Sequence, residues 1–313
     1  MAEKDIWSEW LKHRRFGGNA EHQAQAMKQY KQWALEIVDK AEIFESATVL
    51  DIGAGDGLVG LTALEKLGEK GKLILSDISE AALAIPKEIF NKKETPDSRV
   101  EFLIAPAENL SPLKERTIDR IVMRSVLLYL EDKQPAFNEI FRVLKHGGIA
   151  VLWEPVNQRM VELRAGLFRG YRLDSEPLLS VRPLLEKVNE HSRNEVKQNQ
   201  STLTGYNEHD LVHFAIKAGF EEIELEYSLS HSAQVHYSSW EFFFDSAPNP
   251  HAKSLRELIT DVLTPEEFTV AQSALKKAIE QPSVSTKAKA ILILKKNIGS
   301  FMEGVVKYGI SKK

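Results

Sequence analysis

The 313-residue chain contains no cysteine. That excludes disulfides, Cys-ligated zinc and any chemistry that needs a protein thiol. No apolar run approaches the ~18 residues of a membrane-spanning helix. There is no basic excess either: 41 Lys and Arg stand against 45 Asp and Glu, and the longest basic block is Lys12-His13-Arg14-Arg15. Nucleic acid usually demands a basic face, so no nucleic-acid partner is expected. The start, MAEKDIWSEW, lacks the apolar core of a signal peptide, and a cytoplasmic location is expected. Neither an internal repeat nor a low-complexity tract is found. A hydrophobic content of 43% suits one large globular domain, or a domain with a substantial insertion.

Strand-like and helix-like patterns alternate from Ser46 to Trp153, which predicts a parallel sheet with helices on both faces. The strand candidates are Thr48–Ile52, Lys72–Asp77, Val100–Ile104, Arg120–Arg124 and Ile149–Trp153. A helix carrying Phe137, Ile140, Phe141 and Leu144 on one face is expected to stop at Gly147 and Gly148. Asn207–Phe220 repeats the helical pattern, Ile223 to Leu229 alternates as a strand, and Ala288–Leu294 forms another. The first strand runs into Gly53, Gly55 and Gly57. Three glycines let the backbone turn sharply and approach a ligand without a Cβ in the way. Gly55, Gly57 and Gly60 also satisfy G-x-G-x-x-G, and Asp77 follows about 20 residues on, so these residues alone suit a nicotinamide cofactor equally well.

The D-x-G-x-G-x-G pattern from Asp51 to Gly57 resembles the first signature of class I S-adenosylmethionine-dependent methyltransferases. Three later segments extend the resemblance in the correct order: APAENL (Ala105–Leu110), RIVMRSVLLYL (Arg120–Leu130) and FRVLKHGGIAVLW (Phe141–Trp153). The set favours this family over a dehydrogenase. It implies an α/β fold with a seven-stranded mixed, mostly parallel Rossmann-like sheet, helices on both faces and helical cap insertions. The expected divisions are an N-terminal helical lid (1–45), a cofactor-binding core (46–155), a cap insertion (156–200), a core continuation (201–232), a second cap insertion (233–284), and a final strand and tail (285–313). The lid contains an amphipathic helix through Met27, Tyr30, Ala34 and Ile37.

The resemblance also assigns roles. Backbone N–H groups at Gly53, Ala54 and Gly55, with Gly57 completing the turn, face the methionine end of S-adenosylmethionine, and Asp51 anchors the loop. Asp77 accepts from both ribose hydroxyls, Ile78 packs on adenine, and Ala107 and Glu108 meet its exocyclic amine. Arg124 and Ser125 contact the methionine portion through backbone atoms, and Arg15 reaches its carboxylate. S-adenosylhomocysteine is the product, and no metal is expected.

Glu154 is the first candidate for base or acceptor anchor, with Tyr129 and His231 beside it. His209, His236, Arg164, Arg169 and Arg172 are weaker candidates. The aromatic cluster Trp240, Phe242, Phe243 and Phe244 suggests a partly apolar acceptor held under the cap. The R-S-V-L-x-Y and H-G-G-x-x-x-x-W-E-P-V-N segments most resemble bacterial quinone-biosynthesis-like and arsenite-methyltransferase-like enzymes. Arsenite chemistry needs cysteine thiolates, which this chain lacks. The reading is therefore methyl transfer to oxygen or carbon of a small organic molecule. Methylation of nitrogen or of a protein, or a silent S-adenosylmethionine-binding sensor, remain as alternatives, and nothing in the sequence speaks against a homodimer.

Overall fold

The computed structural model describes residues 5–91, 98–158, 168, 171–234 and 239–297. The strands are β1 Thr48–Ile52, β2 Lys72–Asp77, β3 Val100–Ile104, β4 Ile118–Arg124, β5 Leu144–Pro155, β6 Glu222–Gln234 and β7 Ser283–Lys295. They form one seven-stranded sheet in the order β3-β2-β1-β4-β5-β7-β6. β1 to β5 pair in parallel, and β7 runs antiparallel to both β5 and β6. Strand order reverses between β1 and β4, and in open α/β sheets the carboxyl ends at such a point form the ligand crevice.

Alternation along each strand sends residues to two cores. Leu50, Ile52, Ile121 and Met123 face one side, where α5 (Gln134–Val143) and α7 (Glu208–Ala218) pack. Val49, Val122, Val151 and Trp153 face the other, covered by α2 (Ala20–Lys40), α3 (Leu58–Leu64) and α4 (Glu80–Asn91). Within α2, Ala34 and Ile37 are fully buried in that second core. The latter part of the expected lid is therefore a sheet-covering helix. Only the preceding stretch, with α1 (Ile6–Glu9) and a π-helical turn over Trp10–Arg14, lies over the carboxyl edge.

Two boundary expectations need correction. α5 ends at Val143, and Gly147 and Gly148 lie inside β5, where Gly147 N–H donates to Lys296 O and Lys296 N–H to Gly148 O. Gly147 has a left-handed φ of 76°, and the β4–β5 register shifts here, from Ile118↔Leu144 to Arg120↔Ile149, so the glycine pair forms an irregularity within the strand and not a helix stop. β6 and β7 are also longer than their apolar cores, because their polar ends pair with each other beyond Pro155↔Lys289 as far as Gln234↔Ser283. Pairing supplies the backbone partners that exposed polar residues do not signal.

That two-stranded ribbon rises from the carboxyl edge and carries a helical cap. The two sequence insertions fold together there: α6 (Arg182–Thr204) shares a third core with α8 (Trp240–Asp245), α9 (Leu255–Val262) and α10 (Pro265–Ile279). Capping boxes start the last two, from Ser254 with Glu257 and from Thr264 with Glu267. Phe244 is fully buried at the centre, stacked on Trp240 at 4.6 Å and 5.8 Å from Phe268. Phe244→Ala is expected to lower the unfolding free energy by about 3–5 kcal/mol in urea titrations, the cost of emptying a large aromatic site in a packed core.

Candidate active site

The β1–α3 loop is built around three left-handed glycines: Gly53 at φ 65°, Gly55 at 53° and Gly57 at 79°. A Cβ at Gly53 would stand 2.3 Å from Val126 Cγ2, and one at Gly57 2.8 Å from Pro86 Cβ. Those two glycines are required by packing. At Gly55 the nearest neighbour to such a Cβ is Leu11, at 3.7 Å, so this side of the loop faces the N-terminal segment. Asp51 is buried beneath the loop and accepts from Gly60 N–H at 2.7 Å. Burial pushes its carboxyl up to about 7, against the opposing pull of the Gly60 bond and of Arg124.

The loop amides are largely spent within the protein. Ala54 N–H donates to Ser76 O, Gly57 N–H to Ala54 O, and Gly55 N–H to Asp77 Oδ2 at 2.8 Å. The expectation that Ala54 and Gly55 present free amides to a ligand is corrected accordingly. Ser125, at φ 59°, donates its N–H to Trp153 O, which takes its amide but not its carbonyl out of the expected backbone contact.

Asp77, at the end of β2, also accepts from Ser79 N–H through Oδ1 at 2.9 Å. Each carboxylate oxygen has a second lone pair, so the group retains two acceptor positions for a diol. Burial raises its pKa, opposed by these backbone bonds. Beside it Ile78 and Ile104 are 60% and 53% exposed. Ile104 is the β3 partner of Asp77, and the two isoleucines make an apolar shelf fit for a flat ring next to a diol site. Ala107 is buried and Glu108 half-buried in the following loop. These residues fit a nucleoside.

The N-terminal segment straps this loop to the cap. Asp5 accepts from Ser79 Oγ at 2.9 Å, and Arg15 pairs with Asp56 of the glycine loop at 3.1 Å. On the cap side, Trp10 Nε1–H donates to Ala247 O, Ala247 N–H donates to Arg14 O, and Arg14 pairs with Glu257. Trp7 stands edge-on to Tyr129 at 4.8 Å, with His251 of the cap 5.8 Å from the same indole. Tyr129 therefore lines the covered cleft, and burial and the Glu154 charge raise its phenol, which stays protonated near neutral pH.

Glu154 is not placed to act as a free base. It is buried, its Oε1 accepts from Val126 N–H at 2.8 Å and Leu127 N–H at 3.0 Å, and its Oε2 lies 3.5 Å from the Tyr206 hydroxyl. Its work is to hold the loop after β4, and burial pushes its carboxyl up to about 7. His231 sits on the β6–β7 ribbon with Nδ1 2.7 Å from Thr286 Oγ1, away from the glycine loop. His209 lies in the first turn of α7, where its N–H meets the Asn207 cap. Of the aromatic quartet, Trp240, Phe243 and Phe244 pack in the cap core, with Phe243 on Tyr171, while Phe242 stacks on His22 of α2. Arg172 is paired with Asp174 on the surface. Arg164, Arg169 and His236 lie outside the described residues.

Sequence reasoning missed Trp7, Leu11, Tyr30 and Asp56. A signal existed, since three of the five tryptophans fall within the first 33 residues. Among the described residues no three His, Asp or Glu side chains converge to hold a metal ion, and no helix is long and apolar enough to cross a membrane.

A methyltransferase-domain family model matches residues 43–215, more than half of the chain. The ubiquinone/menaquinone biosynthesis C-methyltransferase of Francisella tularensis subsp. novicida is 29% identical over 147 residues, which cover 47% of this chain and 58% of that protein. The demethylmenaquinone methyltransferase of Oceanobacillus iheyensis is 23% identical over 212 residues, 67% of this chain and 85% of that protein. The match thus spans little more than half the length of the first of these relatives. Among solved structures, a Bacillus halodurans protein provisionally described as a methyltransferase aligns with a TM-score of 0.52 at 15% identity, over 85% of this chain and 99% of that one. The [4+2]-cyclase SpnF aligns with a TM-score of 0.50 at 18% identity, over 92% and 88%. These likenesses establish the fold; a cyclase shares it, so the fold alone does not name a reaction.

Both buried carboxyls bear on stability. Between about pH 4.5 and 7 the unfolded chain has released protons that folded Asp51 and Glu154 still hold, so stability falls as pH rises through that window. In Glu154→Gln, which keeps an acceptor for Val126 and Leu127 but cannot ionise, urea midpoints measured across this range should decline less steeply than in the parent. An unchanged slope would show that Glu154 does not hold its proton there.

Proposed function

The chain belongs to the S-adenosylmethionine-dependent methyltransferase family, and we propose that it transfers the methyl group to oxygen or carbon of a small, partly apolar organic acceptor. The observation that carries this reading is the glycine loop locked to Asp77 beside the isoleucine shelf, at the point where strand order reverses. The cofactor supplies a methyl group already activated on a sulfonium. The chain's own task is to hold and align the partners and keep water away. Asp77 would hold the ribose hydroxyls and Ile78 with Ile104 the adenine. The strap from Asp5 to Arg15 covers the loop, and the cap stands above the carboxyl edge, where an acceptor would lie near Tyr129. The names of the quinone-methylating relatives support a cyclic acceptor and carbon as the methylated atom. With Glu154 occupied by backbone amides, such an acceptor would enter already ionised or carry its own acidic proton.

The test is turnover. Release of S-adenosylhomocysteine from S-adenosylmethionine, followed by mass spectrometry with a panel of phenols, quinols and enolic acceptors, should identify a substrate, and the rate should be unchanged in excess EDTA. Asp77→Ala should weaken S-adenosylhomocysteine binding about 10- to 100-fold, the worth of charge-assisted hydrogen bonds. Calorimetry that finds tight NAD binding and no S-adenosylmethionine binding would overturn the assignment.

A further inference from the structure

β6 is the last strand of the sheet, so one of its edges has no neighbouring strand. Among the described residues no backbone bond is made to that outer edge. The cap meets the strap through Ala247 and Glu257, and residues 228–233 on β6 stay exposed. A free edge is a template for another strand, and proteins normally blunt it with charge, proline or a bulge. The two halves of β6 differ in this respect. The first carries Glu222, Glu224 and Glu226 at alternate positions. The second, Ser228 to Gln234, reads SLSHSAQ, with no Lys, Arg, Asp, Glu or Pro, and its pairing with β7 runs on without a bulge to Ser283. Leu229, His231 and Ala233 continue the face of Leu225 and Tyr227, and the His231 ring meets Thr286 across the pair. On that face Leu229 is 48% and Val284 38% exposed.

A second copy of the chain is the occupant that the charges select. Two β6 strands related by a two-fold axis through His231 run antiparallel, and every residue from 228 to 234 then finds a partner. Ser228 opposes Gln234, Leu229 opposes Ala233, Ser230 opposes Ser232, and His231 opposes its own counterpart. Odd positions meet odd positions, so the Leu229 faces of both copies lie on the same side of a continuous sheet. The two rows of glutamates extend past opposite ends and do not face one another. A parallel arrangement would instead set them side by side, where like charges repel. We propose that the chain forms a two-fold homodimer through the neutral half of β6, by antiparallel strand pairing centred on His231. Such an interface is self-complementary, as a two-fold contact must be.

The absence of cysteine supplies a clean test. A disulfide in His231→Cys can only join two copies. Directly opposed residues of an antiparallel pair have Cα atoms about 4.5–5.5 Å apart, within disulfide reach. Mild oxidation with copper phenanthroline should therefore convert most of His231→Cys to a covalent dimer. Val270→Cys, at a position 56% exposed on α10, should stay monomeric under the same treatment. The parent should sediment with a mass near twice 35.4 kDa at high concentration. His231→Lys and His231→Glu each set like charges face to face and should raise the dimer dissociation constant about two- to fivefold. An equimolar mixture of the two should regain the parent affinity, because Lys then meets Glu. Far-UV circular dichroism checks that each variant folds, and where a charged variant does not, the cross-link decides. A parent that sediments as a monomer throughout would overturn the homodimer. So would a dimer in which His231→Cys cross-links no better than Val270→Cys, or in which mixing the folded charged variants restores nothing, since its interface would lie elsewhere.

Discussion

The Gly55 N–H to Asp77 carboxylate bond is the contact on which the cofactor cleft depends. It ties the end of β1 to the end of β2 across the crevice and sets the loop at a fixed height above the sheet. The same carboxylate then holds Ser79, which in turn holds Asp5 of the strap. On the proposed reading, a nucleoside arriving at Asp77 would meet a group that is already oriented by these backbone bonds. Orientation in advance lowers the entropic cost of binding. The chain of contacts from Asp77 through Ser79 to Asp5 joins this site to the N-terminal segment.

Buried carboxylates recur as loop anchors. Asp51 holds the start of α3 through Gly60, and Glu154 holds the turn after β4 through Val126 and Leu127. Each stands on a strand with its oxygens turned toward backbone N–H groups that no strand or helix satisfies. Such groups must find a partner when buried. The penalty is a desolvated acid, visible in the upward displacement of both carboxyls. The gain is that the loops flanking the cleft are positioned by the sheet itself. Neither acid is thereby available as a freely reacting base, which agrees with chemistry that relies chiefly on an activated donor and on alignment.

Covering the cleft is the work of elements distant in sequence. The strap reaches the glycine loop through Arg15 and the cap through Trp10 and Arg14. The cap is a single body made from two insertions, raised on the β6–β7 ribbon. Trp240, Phe243 and Phe244 fill the cap's own core, while Phe242 joins the cap to α2 through His22. Between strap, cap and the loop after β4, the contact runs through the Trp7 indole, which meets Tyr129 and the cap's His251.

Much of the architecture was legible from local chemistry. Short apolar runs marked five of the strands within a few residues, because a strand buried on both faces leaves a near-continuous apolar stretch, while the alternation from Ile223 to Leu229 marked the partly exposed β6. The three glycines and Asp77 announced a ligand loop, since a backbone that turns with positive φ at alternate positions needs that residue type at those positions. The polar halves of β6 and β7 were invisible, because pairing between strands separated by an entire cap leaves no periodic trace. The roles of Glu154, Tyr30 and Trp240 were equally hidden. A strand-end acid, a helical tyrosine and an aromatic cluster each have one chemistry and several uses. Which use is realised depends on what the fold brings within about 3–5 Å, the range over which hydrogen bonds and ring contacts act. The sequence by itself determined the sheet and its glycine loop, whose signals are local. Only the tertiary structure decided that Glu154 props a loop, that Trp240 fills a cap, and that Arg15 and Arg124 both meet the Tyr30 ring, because those outcomes are set by neighbours far away along the chain.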